Sequence, residues 1–478
     1  MRPRLQLLST DLIERILAEA FALLTNPGVR VGSPLVIDLL RASGVDVFDG
    51  VARFTESLVR RCLESVPHSF YLYNRDGEPA VHYGGDDVHF DPGSCCVQIL
   101  DPDTLDARPS LTADLVSLVQ VTEMLPQFAA QSTAMVCGDQ PSEIGDIYRL
   151  FVVLQYSNKP IVTGSFSAEG LGGMIDMLAA DAGGRNQLRK KPRAIFDVCP
   201  SPPLNWSEFG AHNLLDLAGA GVPAEIVSMP LAGAAAPVTL AGSITQHAAE
   251  TLAGITLHQL AAPGAPIVWG GAPAIFDMRS GTTPMGAIET AMLNMGCAEV
   301  GKYLGLPTHG YLVATDSKLV DAQAGAESAR SAVLGALSGI NMISGAGMID
   351  FLACHSVEKL VIDAESIASA QRLIAGIEPR GETLALSAFA EAGLSGEFLK
   401  LQETRALFRK EQHIPSGVID RETRSLSAPN IFTLARDRVT GLLSEYRKPE
   451  LPDTLFAEFK QIVHRESRRA GVVNAVTA

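Results

Sequence analysis

Three short β-branched runs decide how this sequence folds: Pro160-Ile161-Val162-Thr163-Gly164, Ala194-Ile195-Phe196-Asp197-Val198-Cys199 and Ala224-Glu225-Ile226-Val227-Ser228-Met229. Stretches of helical spacing separate them, and each run ends in a turn rich in Gly, Pro or Ser. Working outward, the same unit recurs at Thr133–Cys137 before them and at Pro266–Trp269, Gly310–Ala314 and Asn341–Ser344 after them. Alternating β and α segments imply parallel strands joined by helical crossovers. Seven strands over roughly 210 residues predict an α/β fold, a (β/α)8 barrel of the TIM type, rather than an open sheet. The rhythm does not place the eighth strand, for which Ala385–Phe389 and Val97–Leu100 are the candidates. A dinucleotide-binding fold would need GxGxxG after its first strand, and neither that motif nor a P-loop is present.

Upstream, Leu12, Ile13, Ile16, Leu17 and Ala20 recur at helical spacing after a Ser9-Thr10-Asp11 cap signal. Ser33 caps a second helix with Pro34 in its first position, and Phe54 to Ser65 reads as a third. Phe70-Tyr71-Leu72-Tyr73 and His82 to Phe90 alternate as strands. The expected division is residues 1–110 as N-terminal helices and a β-ribbon packed on the barrel, 111–390 as the barrel, and 391–478 as C-terminal helices ending in a loose tail from Arg468.

The chain has 478 residues, 47% of them hydrophobic and only 19% charged, with a mean hydropathy of +0.17. That composition rules out bulk disorder. A membrane-spanning helix needs ~20 apolar residues; the best stretch, Leu231 to Gly242, is too short, and the N-terminus turns acidic too early for a signal peptide. A parallel sheet covered on both faces accounts for the apolar excess. The formal charge of −15 argues against nucleic acid and anionic membranes as partners. Seven cysteines without CxxC spacing predict reduced thiols in a cytoplasmic protein. They read as small buried hydrophobes rather than metal ligands, and no metal site is expected. A barrel of this size with added helices is expected to self-associate, through an interface the sequence does not mark.

In barrels of this type the active site forms at the C-terminal ends of the strands. Those ends carry Gly164-Ser165-Phe166, Asp197-Val198-Cys199-Pro200, Ser228-Met229-Pro230, Trp269-Gly270-Gly271, Thr315-Asp316-Ser317-Lys318 and Gly345-Ala346-Gly347. No GxSxG elbow, HExxH or other acid–base machinery stands among them. Two segments are dense enough to weigh. In Trp269 to Arg279 an aromatic pair, Trp269 and Phe276, suits a quaternary ammonium by cation–π attraction, and Arg279 suits a carboxylate; a core tryptophan beside a surface Asp–Arg pair fits as well. In Thr315 to Glu327, Asp316, Ser317 and Asp321 stand where a helix starts, as N-caps do. Lys318 is placed to form a Schiff base or to pair with Asp321.

At these segments the sequence resembles the corrinoid-dependent trimethylamine methyltransferase family. The resemblance runs over roughly residues 20–430. It includes Leu23-Leu24-Thr25-Asn26-Pro27-Gly28-Val29-Arg30, Gly84-Gly85-Asp86-Asp87-Val88, Met229-Pro230-Leu231-Ala232-Gly233-Ala234-Ala235-Ala236-Pro237-Val238-Thr239-Leu240-Ala241-Gly242, Met278-Arg279-Ser280-Gly281 and Asp321-Ala322-Gln323-Ala324-Gly325. It implies a (β/α) barrel that moves a methyl group from an amine to Co(I) of a corrinoid (cobalamin) carried by a separate small protein, with no tightly bound cofactor of its own. Members acting on trimethylamine carry pyrrolysine; this chain has only the twenty standard residues. The resemblance therefore implies a quaternary amine such as glycine betaine as substrate. On that reading Phe166, Met229, Trp269, Phe276 and Arg279 contact the substrate, and Asp316, Ser317 and Lys318 position it. Asp321, Gln323, Glu327, Gly345 and Gly347 face the corrinoid. The chain departs from relatives at Leu401–Arg409, where histidines are usual, and at Cys354-His355. A Lys318 Schiff-base lyase or aldolase and a non-catalytic quaternary-amine binder are the alternatives from other classes.

Overall fold

The computed structural model describes residues 2–167, 169–423 and 429–472. Eight parallel strands form the barrel: β1 His89–Pro92, β2 Gln131–Ser132, β3 Ile161–Gly164, β4 Ala194–Val198, β5 Ala224–Ser228, β6 Ile267–Gly271, β7 His309–Tyr311 and β8 Met342–Ala346. Each is followed by a covering helix: α1 Thr112–Met124, α2 Gly145–Tyr156, α3 Gly170–Asp181, α4 Glu208–Ala220, α5 Leu240–Ala261, α6 Ile288–Tyr303, α7 Ala322–Leu337 and α8 Val357–Ile374. Strands β2 to β6 pair in sequence, and β6 reaches β7 through a Trp269–Thr308 bridge. Strand β7 pairs with β8 and β8 with β1. The ring closes from β1 to β2 through Ala129 N–H to Phe90 O at 3.0 Å and Cys96 N–H to Ala134 O at 2.8 Å.

The eighth strand is therefore His89–Pro92, and neither candidate from the sequence fills that place. Ala385–Phe389 runs into a helix, Leu386–Ala392, and Gln98–Leu100 is a strand that pairs outside the barrel with Ala107–Pro109 and Cys354–His355. The rhythm missed β1 because its turn signals, Gly84-Gly85 and Pro92-Gly93, made it look like the second arm of a ribbon. The barrel spans His89 to Ile374, so it begins inside the expected N-terminal unit and ends before residue 390.

Alternation along the strands sorts the side chains. Ala130, Val162, Ile195, Val268 and Met342 meet inside the barrel near its N-terminal end. A hairpin, Phe70–Tyr73 with Pro79–Tyr83, closes that end by packing Leu72, Val81 and Tyr83 against them. The opposite parity faces the helices, where the main core lies. The helix starts follow the sequence: Ser9 accepts from Leu12 N–H at 3.3 Å and Ser33 from Val36 N–H at 3.2 Å, each satisfying a donor the first turn leaves free. Beyond the barrel, Ile431–Glu445 packs on α8 and α1, and Asp453–Arg469 on α3 and α2. The expected tail is thus helical to Arg469, and 473–478 lies outside the described residues. Among the described residues no helix is long and apolar enough to cross a membrane.

Candidate active site

A cavity of about 560 Å³ opens at the C-terminal ends of the strands. Phe166, Phe209, Met229, Val198 and Leu352 supply apolar wall; Ser94, Ser165, Ser207 and Asn213 supply neutral polar groups; Asp197 and Tyr311 lie in its floor. No arginine or lysine stands among the described lining residues.

Phe166 is held by a neighbouring helix. Asp146 on α2 accepts through Oδ2 from Phe166 N–H at 2.7 Å, Ser167 N–H at 2.8 Å and Ser167 Oγ at 2.9 Å. One turn on, Arg149 donates to Asp146 Oδ1 at 2.8 Å and to Thr133 O at 2.9 Å, and its guanidinium lies 5.1 Å from the Phe166 ring centre. The ring is thereby fixed at the cavity wall. With a cation already on one face it has less negative charge to offer a second, so it gives shape more than charge.

The charge comes from the floor. Asp197 on β4 and Glu225 on β5 are register partners, and both point inward by the strand alternation. Two carboxylates directly opposite on adjacent strands cannot both ionise cheaply in a buried site. Burial, with Asp197 beside it, pushes the Glu225 carboxyl well above its ordinary range, so of the pair Glu225 keeps its proton longer. Burial pushes Asp197 up to about 6, with Glu225 and the Tyr311 hydroxyl pulling it back. Tyr311 Oη donates to Ser94 O at 2.9 Å and stands 3.4 Å from Asp197 Oδ2. Glu225 is the hydrogen-bond partner of the Asp197 carboxylate, and no basic group among the described lining residues pairs with it. Around the pair, Asp91 accepts from Ser344 Oγ at 2.5 Å, and His309 Nδ1 lies 3.3 Å from Glu225, its imidazole kept neutral by burial. The site thus presents one carboxylate, ionised above pH about 6, to an otherwise neutral cavity.

The structure divides the residues singled out from sequence. Phe166 and Met229 line the cavity. Trp269 does not: Val268 points into the barrel, so Trp269 points out. It is buried against α6, where its Nε1 donates to Cys297 O at 2.9 Å and a Cβ on Gly301 would lie 2.6 Å from its ring. Phe276 is half-buried and lies outside the cavity lining. Arg279 is 91% exposed and paired with Asp277 at 3.0 Å, again outside the cavity.

The Thr315–Glu327 segment knits the rim. Asp316 accepts from Met285 N–H at 2.6 Å and Gly286 N–H at 3.1 Å. Ser317 Oγ donates to Asp321 Oδ1 at 3.0 Å, and Asp321 caps α7 by accepting from Ala324 N–H at 3.0 Å. Gln323 donates to Glu327, which also accepts from Thr315 Oγ1 at 2.5 Å and Asp316 N–H at 3.0 Å. Lys318 donates to Asp316 O at 2.9 Å and lies 3.9 Å over the Phe351 ring, largely exposed and outside the cavity, where no Schiff base would meet an enclosed substrate. Gly345 and Gly347 answer to the backbone: both have positive φ, and a Cβ would lie 2.2 Å from Leu312 O and 2.1 Å from His355 respectively. They let β8 turn rather than clear space for a ligand. Asp350, Phe351 and Leu352 follow in left-handed conformations, a strained run that brings Leu352 to the cavity wall.

Asp197 stands among the strand ends in the sequence, without a role of its own there. Its signal was parity: Ile195 and Asp197 share a face, as do Glu225 and Val227, so two adjacent strands each send a carboxylate inward. Among the described residues no group of three or more His, Cys, Asp or Glu is placed to hold a metal ion.

The chain is 28% identical over 94% of its length, and 91% of the relative's, to a trimethylamine methyltransferase MttB of Desulfitobacterium hafniense. It is 26% identical, over 98% of both chains, to a glycine betaine methyltransferase of the same species. The monomethylamine methyltransferase MtmB of Methanosarcina barkeri has the same fold at 11% identity, with a TM-score of 0.51 over 99% of this chain and 90% of that one. The model of the trimethylamine methyltransferase (MTTB) family matches residues 1–471, so the (β/α)8 chain with a carboxylate beneath its mouth belongs to that family of methyltransferases.

Proposed function

We propose that the protein demethylates a quaternary amine, glycine betaine or a related betaine, and passes the methyl group to the Co(I) corrinoid of a separate small protein docked at the barrel mouth. The observation that carries this reading is Asp197: a part-buried carboxylate in the wall of a cavity with no basic group among its described lining residues. A permanent cation satisfies it without a proton, and at 4–5 Å the attraction is worth about 3–4 kcal/mol at an effective dielectric of ~20. The corrinoid is the second substrate and supplies the nucleophile.

The chain's own part is to bind and aim. Asp197 holds the ammonium centre against the floor, while Phe166, Phe209, Met229 and Leu352 exclude water and leave one N-methyl group facing the mouth. Holding two reactants in line supplies ~7–11 kcal/mol of the barrier. The amine leaves neutral, so no side chain has to protonate it, which agrees with a site whose other acids are neutral or tied. A betaine carboxylate would be received by neutral donors such as Ser94, Ser207 and Asn213, since Arg279 lies outside the cavity.

The test is anaerobic loss of the Co(I) absorbance of a reduced corrinoid protein with glycine betaine, proline betaine, carnitine, tetramethylammonium and trimethylamine. Methylation by one or more quaternary amines is expected. Methylation by trimethylamine alone overturns the reading.

A further inference from the structure

After α8 the chain makes an excursion, residues 375–417, before returning to the body at Val418, which is 1% exposed. Both ends are tied to α8: Arg372 donates to Gly376 O at 2.8 Å where the chain leaves and to Glu411 O at 3.0 Å where it returns, and Ser416 N–H donates to Glu365 at 3.3 Å. Between the ties stand the helices Leu386–Ala392 and Gln402–Glu411, neither with a buried residue. The excursion is nonetheless apolar: Ile377, Leu384, Leu386, Leu394 and Leu399 are 94, 83, 77, 99 and 84% exposed, and Phe389 is half-exposed. Six large apolar side chains so exposed between 377 and 399 exceed the singly scattered ones a monomer's surface normally carries.

Position and charge say what covers it. Helix α8 starts at the strand C-terminal ends and runs back to the opposite end of the barrel, so the excursion leaves from the face remote from the cavity. A methyl acceptor must approach the mouth and cannot use it. The charges segregate along it. Residues 377–397 carry four carboxylates and one arginine; 398–412 carry four basic and two acidic residues. Glu382 and Glu391 in the first half, and Arg405, Arg409 and Lys410 in the second, make no ion pair within the described chain. The two limbs lie side by side, joined by Arg380–Glu411 at 2.8 Å, and a surface acidic on one limb and basic on the other complements itself when turned by a two-fold axis, the condition for an isologous contact.

We infer that residues 377–412 are a dimerisation arm, covered in solution by the same arm of a second copy in antiparallel arrangement, acidic half against basic half. The reading is independent of the substrate. It is tested on the full chain by sedimentation and light scattering at micromolar concentration. The wild type is expected to be a dimer or a multiple of it, and Leu386→Asp with Leu394→Asp is expected to dissociate it at an unchanged melting temperature, since those side chains touch little within the chain. Glu382→Lys with Glu391→Lys, and Arg405→Glu with Arg409→Glu, should each weaken self-association about tenfold or more, and mixing the two variants should restore it. A monomeric wild type, an assembly indifferent to the leucine variant, or charge variants that do not rescue each other would overturn the arm.

Discussion

The floor and the rim of the barrel mouth are built from similar residues and do opposite things. On the rim, Asp316, Ser317, Asp321, Gln323 and Glu327 have their hydrogen bonds filled by neighbouring backbone and side chains. In the floor, Asp197 has no basic partner among the described lining residues, only a second carboxyl, Glu225, whose pKa burial raises. A polar group with its bonds satisfied has little left for a ligand. The contrast separates residues that shape the mouth from the one poised to hold a cation.

The sharpest way to break that contrast is Asp197→Asn. Removing the floor charge should cost about 3 kcal/mol of binding, seen as a fall in kcat/KM of roughly 10²-fold for a quaternary amine, while Asp316→Asn changes it far less. Equal losses would erase the distinction. A smaller effect follows from protons. Asp197 binds a cation only when ionised, and its carboxyl is held up at about 6, so KM should be flat above pH 7 and rise about tenfold by pH 5. In Asp197→Asn that rise should vanish; a rise that persists in the variant would assign it elsewhere. The smallest effect on catalysis belongs to Trp269→Phe. It removes a buried hydrogen bond to Cys297 and some packing on α6, so the melting temperature should fall by an amount equivalent to about 1–3 kcal/mol with KM unchanged. A raised KM at full stability would return Trp269 to the substrate.

Much of the fold was legible because a buried parallel strand is a short β-branched run between turn signals: six of the expected runs overlap barrel strands, and the seventh, Thr133–Cys137, begins just past β2. Strand β1 is no such run: His89-Phe90-Asp91-Pro92 has a histidine, an aspartate and a proline in four residues, and only its neighbours β8 and β2 make it a strand. Caps were legible too, since Ser9 and Ser33 act within three residues of their own position. The site was read in part. Phe166 and Met229 lie just past strand ends, where position along the chain implies position at the mouth. Trp269 lies one residue off the inward parity, and that single residue moves an aromatic ring from the cavity to the helix layer.

The sequence by itself determined the architecture and its likeness to a methyltransferase family, because periodicity, turn chemistry and extended motifs are local properties of the chain. Which strand closes the ring, that Asp197 meets Glu225 across a register, that Arg279 stays on the surface, and that the large apolar side chains between 377 and 399 lie exposed were decided only by the tertiary structure. Those facts depend on pairing, shear and burial between residues far apart in the chain, and no local pattern carries them.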